Sequence, residues 1–113
     1  MKDRDDRLYL IHINECLQRI EQYTSAGRDA FFADTKTQDA VLRNLHMLAE
    51  TSQRLSDRLK ASQPQVDWRN IAAFRNVLVH DYLGIDLSRI WDIVQNDLPV
   101  LKRAIANMLA ILK

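Results

Sequence analysis

Two glycines and two prolines in 113 residues leave little material for tight turns, which argues against a turn-rich β-sandwich. A lone cysteine, Cys16, has no partner for an internal disulfide and falls within a helical pattern, so it reads as a structural thiol in a reducing compartment. No single charge sign dominates. The formal net charge is +1, and no strong electrostatic footprint announces a nucleic acid; any such contact has to use a local basic surface. No apolar run approaches membrane-spanning length, and Met1–Arg7 lacks the apolar core of a signal peptide, so a cytoplasmic location is expected. No glycine-rich phosphate loop is present, which leaves no sequence basis for ATP binding by this chain alone.

What remains is hydrophobic and helix-forming. Hydrophobic residues make up 47% of the chain, too many for a disordered segment. Leu, Ala, Arg and Gln are abundant, and all favour helices. A first helix is expected from about Asp3 or Asp5 to the region of Tyr23–Gly27, with Leu10, Ile13, Leu17 and Ile20 on one stripe. Gly27 suits a left-handed cap, and Phe31 and Phe32 follow in a connection where they would cover the open end of a bundle. A second helix opens at Asp34, Thr35 or Thr37. Its seam, Val41, Leu45, Leu48, Ser52, Leu55 and Leu59, alternates steps of four and three until Pro64 forbids continuation. Asp67 caps a third helix from Trp68 to about Tyr82, with Gly84 as its stop. Asp86 caps a fourth segment with Leu87, Ile90, Trp91 and Val94, and Asp97-Leu98-Pro99 restarts the helix for a last stripe of Leu98, Leu101, Ile105, Met108 and Leu112. The expectation is an all-α protein: one domain over residues 1–113, an antiparallel four-helix bundle with an additional short helix.

Chemistry concentrates near the end of the third helix, in Arg75-Asn76-Val77-Leu78-Val79-His80-Asp81-Tyr82. Asn76 and His80 are one turn apart on one helix face, while Arg75, Leu78 and Tyr82 share another stripe. Histidine titrates near neutrality and can move protons; arginine presents a fixed fork of donors matched to phosphate. Together they suit cleavage of a phosphodiester by a ribose 2′-hydroxyl, with the arginine stabilising charge on the phosphorus centre and no metal required. That reaction wants both a base and an acid. A two-fold dimer bringing two third helices together would set two Arg75–His80 pairs around one cleft. The same residues also allow a structural reading, in which Arg, Asn and His make buried hydrogen bonds that hold the bundle together.

Arg75, His80 and Tyr82 reproduce an Arg-X4-His-X-Tyr spacing that resembles the signature of HEPN proteins, specifically HepT toxins paired with MntA-type nucleotidyltransferase antitoxins. Trp68-Arg69, Val79 to Tyr82, Trp91, Leu98-Pro99 and Gln38 to Leu45 are similar to the family's flanking residues, so the likeness spans nearly the whole chain. Many relatives carry Gly-Glu-Ala in the second helix where this chain has Ala49-Glu50-Thr51; Ala49 stays small, and Glu50 is expected as a buried partner for polar groups of the third helix.

The resemblance implies a HEPN-like fold and a homodimeric, metal-independent endoribonuclease. Such a protein is the toxin of a type VII toxin–antitoxin module, acting on cellular tRNA or mRNA without a cofactor. His80 carries over as the acid–base group and Arg75 as the phosphate ligand. Asn76, Asp81 and Glu50 support the site, and Tyr82 matches the tyrosine that the partner nucleotidyltransferase modifies with AMP. A rival from another class is a catalytically silent bundle that dimerises and recruits a nucleotidyltransferase, with Arg75 and His80 buried in structural roles.

Other residues attract simpler expectations. His12 and His46 lie on separate helices without companions at clear ligand spacing, so no metal site is expected. Trp68 and Trp91 are expected to close the core rather than to stack on bases.

Overall fold

A computed structural model describes residues 2–79 and 86–112. The elements are α1 (Lys2–Tyr23), α2 (Arg28–Ala33), α3 (Thr35–Ser52), α4 (Asp57–Ala61), α5 (Trp68–Val79), α6 (Leu87–Asp92), a π-helical turn (Ile93–Asp97) and α7 (Leu98–Ile111). No strand occurs among the described residues, and the fold is all-α and HEPN-like, as expected.

The centre of the bundle is α3, which packs on α1 along one side and on α5 along the other. The periodicities expected for these helices bury the expected residues. Leu10, Ile13, Leu17 and Ile20 of α1 meet Val41, Leu45 and Leu48 of α3, together with Leu101, Ile105 and Met108 of α7, in one core. Asp34 is the cap chosen for α3: its carboxylate accepts from the Lys36 amide at 3.0 Å and the Thr37 hydroxyl at 2.8 Å. The Thr37 hydroxyl in particular holds the Asp34 carboxyl below its ordinary pKa. Asp67 and Asp86 cap α5 and α6 by accepting from the Asn70 and Arg89 amides.

At Gly27 the backbone has φ 97° and ψ −179°, a region that side-chain-bearing residues rarely enter. That conformation turns the chain directly into α2, so Phe31 and Phe32 lie on a short helix rather than in an irregular connection. Phe31 is buried and its ring stands 5.4 Å from that of Trp91, which closes this end of the bundle. Trp68 is half-buried and donates its indole N–H to the Lys60 carbonyl at 3.0 Å.

Two further elements differ from the sequence expectation. The second helix does not run unbroken to Leu59 but stops at Ser52 and restarts at Asp57. The reason is Asp6, buried in α1, whose carboxylate accepts both the backbone N–H of Ser56 at 2.9 Å and its hydroxyl at 2.8 Å. Ser56 in turn caps α4 by accepting from the Leu59 amide. Leu55 and Leu59 are still buried, so the turn preserves the seam while breaking the helix.

Nor do Asp97, Leu98 and Pro99 begin a new helix after a break. The chain from Leu87 to Ile111 is continuous and passes through the π turn, where the Leu98 amide bonds the Ile93 carbonyl five residues back. Pro99 has no N–H for the carbonyl one turn earlier, and its ring crowds that position. Widening the preceding turn by one residue relieves both problems. Asp97, in that turn, accepts from the Asn70 side chain at 3.4 Å and ties it to the start of α5.

Candidate functional site

While one face of α3 is committed to the core, Arg43, His46, Met47 and Glu50 recur at helical spacing on a second, more open stripe. Glu50 occupies the end of this stripe that faces α5. Its Oε1 lies 2.9 Å from the Nε of Arg75 and 3.7 Å from the Nε2 of His46. One carboxylate oxygen therefore gathers a guanidinium from α5 and an imidazole from its own helix.

Glu50 does pair with a polar group of the third principal helix, but it is not buried there. Its side chain is 43% exposed and that of Arg75 is 44% exposed. An arginine held through Nε while its head remains open to solvent can present its terminal amino groups to an incoming anion. Beside it on α5, Asn76 is also exposed.

An open groove of about 340 Å³ runs along the same surface, lined by His12, Arg43, His46, Met47, Glu50 and Thr51. The two histidines in it differ in their commitments. His12 has both ring nitrogens engaged: Nδ1 pairs with the Thr51 hydroxyl at 2.8 Å and Nε2 contacts the Cys16 sulfur at 3.9 Å. His46 faces the Glu50 carboxylate, with its side chain 44% exposed.

Cys16 thus has a basic neighbour, His12, one helical turn before it. Burial nevertheless dominates and pushes the Cys16 thiol above its ordinary pKa, the opposite of what an activated nucleophile needs. Among the described residues, no three of His, Cys, Asp and Glu converge in a way that could hold a metal ion.

Of the residues expected at the site, the structure brings Arg75 and Glu50 together and sets Asn76 beside them. His80, Asp81 and Tyr82, like the expected helix stop at Gly84, lie outside the described residues. From the sequence, His46 was weighed only as a metal ligand and set aside. The available signal was its i, i+4 spacing to Glu50, which puts an imidazole and a carboxylate on one helix face.

The profile of the "Ribonuclease HepT-like" family matches residues 13–108, and the chain belongs to that family. A Thermococcus cleftensis protein named "Probable ribonuclease HepT" is 36% identical over 100 residues, covering 88% of this chain and 91% of its own length. "Putative RNase MJ0127" of Methanocaldococcus jannaschii is 38% identical over 100 residues, covering 88% of this chain and 83% of its own. A third relative, "Gamma-glutamylcyclotransferase and putative RNase MJ0434" of the same organism, is 33% identical over 107 residues; the match takes in 94% of this chain but 48% of that protein. No solved structure matches the chain.

Proposed function

We propose that the chain is an endoribonuclease that cleaves RNA through its own ribose 2′-hydroxyl, without a metal ion, with Arg75 as the phosphate ligand and His80 as the acid–base group. The observation that carries this reading is the state of Arg75: anchored through Nε by Glu50, close to half exposed, and next to an open groove. A guanidinium whose purpose was to tie helices together would be expected inside the bundle. The family and the names of the relatives point the same way.

In this mechanism the 2′-oxygen attacks phosphorus as His80 manages the proton, while Arg75 stabilises the charge that develops on the non-bridging oxygens. The products are a 2′,3′-cyclic phosphate and a 5′-hydroxyl. Asn76 and Asp81 support the site. A two-fold homodimer would set two Arg75–His80 pairs about one cleft and concentrate positive charge that the chain as a whole, at net +1, does not supply. The same reading makes the protein the toxin of a toxin–antitoxin pair, silenced when an MntA-type nucleotidyltransferase attaches AMP to Tyr82.

Purified protein incubated with total RNA in EDTA tests the proposal. Fragments ending in cyclic phosphate and 5′-hydroxyl are expected, with activity lost in His80→Ala. Cleavage only after adding a divalent metal, or 5′-phosphate ends, would contradict it.

A further inference from the structure

In the ribonuclease reading Arg75 accounts for one phosphate, yet an RNA strand carries a phosphate at every nucleotide, and one contact leaves the rest of the strand free to swing. The open groove beside Arg75 offers the strand a continuation. Glu50, whose Oε1 lies 2.9 Å from the Arg75 Nε, lines it at the end that faces α5, and Met47, His46 and Arg43 line it further back along α3. Arg43 stands about two helical turns before Glu50, hence about 10 Å away along the axis.

Charge in the groove is unevenly balanced. Of its lining residues Glu50 alone is acidic, and that carboxylate is engaged by Arg75. Arg43 is exposed and, among the described residues, has no ion-pair partner, although Asp39 stands one helical turn before it. Its permanent positive charge is therefore left uncompensated, on a surface that leads directly to the phosphate ligand.

We propose that Arg43 is a second phosphate ligand, which binds a phosphate flanking the scissile one on a single-stranded RNA laid along the groove from Arg75. The inference rests on the ribonuclease reading and deepens it. A groove of about 340 Å³ has room for a nucleotide but not for a double helix. Between the two arginines, the half-buried Met47 side chain gives a pliable apolar surface against which a sugar or the face of a base can rest. Arg43 touches no reacting atom in this arrangement. It holds the strand in register, so it acts on affinity rather than on the bond-breaking step.

The decisive experiment measures binding apart from cleavage. A single-stranded RNA oligonucleotide that the wild-type protein cuts is remade with 2′-O-methyl riboses, which lack the attacking hydroxyl, and its Kd is read by fluorescence anisotropy. A matched set replaces each phosphate in turn by a neutral methylphosphonate. At one flanking position the replacement should weaken wild-type binding by about tenfold, the worth of one charge-assisted contact. Arg43→Ala should weaken binding of the unmodified strand by a similar factor and lose nothing further at that position, the coupling expected of two groups in contact. The dependence of its log Kd on log salt should be shallower by about 0.7 in slope. On the cleavable strand, KM should rise while kcat stays within about twofold of wild type. Arg43→Lys, which keeps the charge, should recover part of the affinity. Arg103→Ala removes the same charge from α7 and should bind within about twofold of wild type.

Losses that simply add at every flanking position, a loss shared equally by Arg103→Ala, or wild-type affinity in Arg43→Ala would overturn the assignment while leaving the ribonuclease reading intact. A wild-type protein that cleaves no RNA would overturn the reading beneath it.

Discussion

Glu50 holds Arg75 at 2.9 Å across the α3–α5 interface, and both side chains remain close to half exposed. An ion pair in that setting contributes little to stability, because solvent screens it and two long side chains must be ordered to form it. In the proposed reading its value lies in orientation. Glu50→Ala should therefore change the unfolding free energy by less than about 1 kcal/mol. Cleavage should fall by about a hundredfold, the effect of letting a positioned group drift by an ångström. Urea unfolding and single-turnover cleavage of the same preparation check both halves. A variant that is strongly destabilised yet cleaves normally per folded molecule would contradict the assignment.

Asp6 makes the opposite case. It is buried, and its carboxylate accepts two hydrogen bonds from Ser56 that fix the turn between α3 and α4. Hydrogen bonds to a charged group contribute about 1.5–3 kcal/mol each, and losing this acceptor also leaves a serine N–H without its partner. Asp6→Ala should cost about 3 kcal/mol of stability, seen as a lower unfolding midpoint. Below that midpoint the cleavage rate should stay near wild type, since Arg75 and Glu50 are held elsewhere.

Much of the bundle was legible in the sequence, and the exceptions share a cause. The α1, α3 and α7 stripes bury what their spacing says they should, with Leu112 at the end only partly covered, because a three- and four-residue repeat needs no knowledge of partners. The interruption at Gln53–Ser56 depends on Asp6, fifty residues earlier, and no local pattern encodes that. The π turn before Pro99 was half visible: the proline announced a disturbance, but not that a widened turn would absorb it and keep the helix continuous. At the site, Arg75 was marked by its motif and Glu50 by its flanks. The exposure of Glu50 follows from how α3 sits against α5, which periodicity alone does not report, whereas His46 beside it was signalled by the i, i+4 spacing.

Cys16 offers a pH test with a definite sign. Burial raises its pKa from the ordinary 9.0, so the folded chain keeps its proton more firmly than the unfolded one. Any stability linked to this group is fully present below the ordinary value and declines as pH rises from there toward the folded value. Thiol reagents at neutral pH should accordingly modify Cys16 at a rate set by unfolding, and immediately once the protein is in denaturant. Rapid labelling of the native protein would show that the thiol is accessible after all.

In the proposed reading Tyr82 is the acceptor of AMP. If that reading holds, the added phosphate competes with RNA for the donors of Arg75. Incubation with an MntA-type nucleotidyltransferase and ATP should add AMP to Tyr82, detected by mass spectrometry of the peptide, and abolish cleavage with little change in unfolding midpoint. Tyr82→Phe should escape the modification. AMP on a different residue, or a modified protein that still cleaves, would contradict this form of control.

In the proposed mechanism Arg75 is there for the phosphate rather than for the bundle. Single-turnover cleavage of one defined RNA by Arg75→Ala, read beside its unfolding midpoint, tests that claim most directly. The prediction is a rate lower by roughly two to four orders of magnitude, in the range for removing a donor that stabilises transition-state charge. The folding free energy should stay within about 1 kcal/mol of wild type, because the pair it loses is half exposed. A folded Arg75→Ala protein that cuts at the wild-type rate, or a loss of activity that only follows a loss of fold, would contradict it.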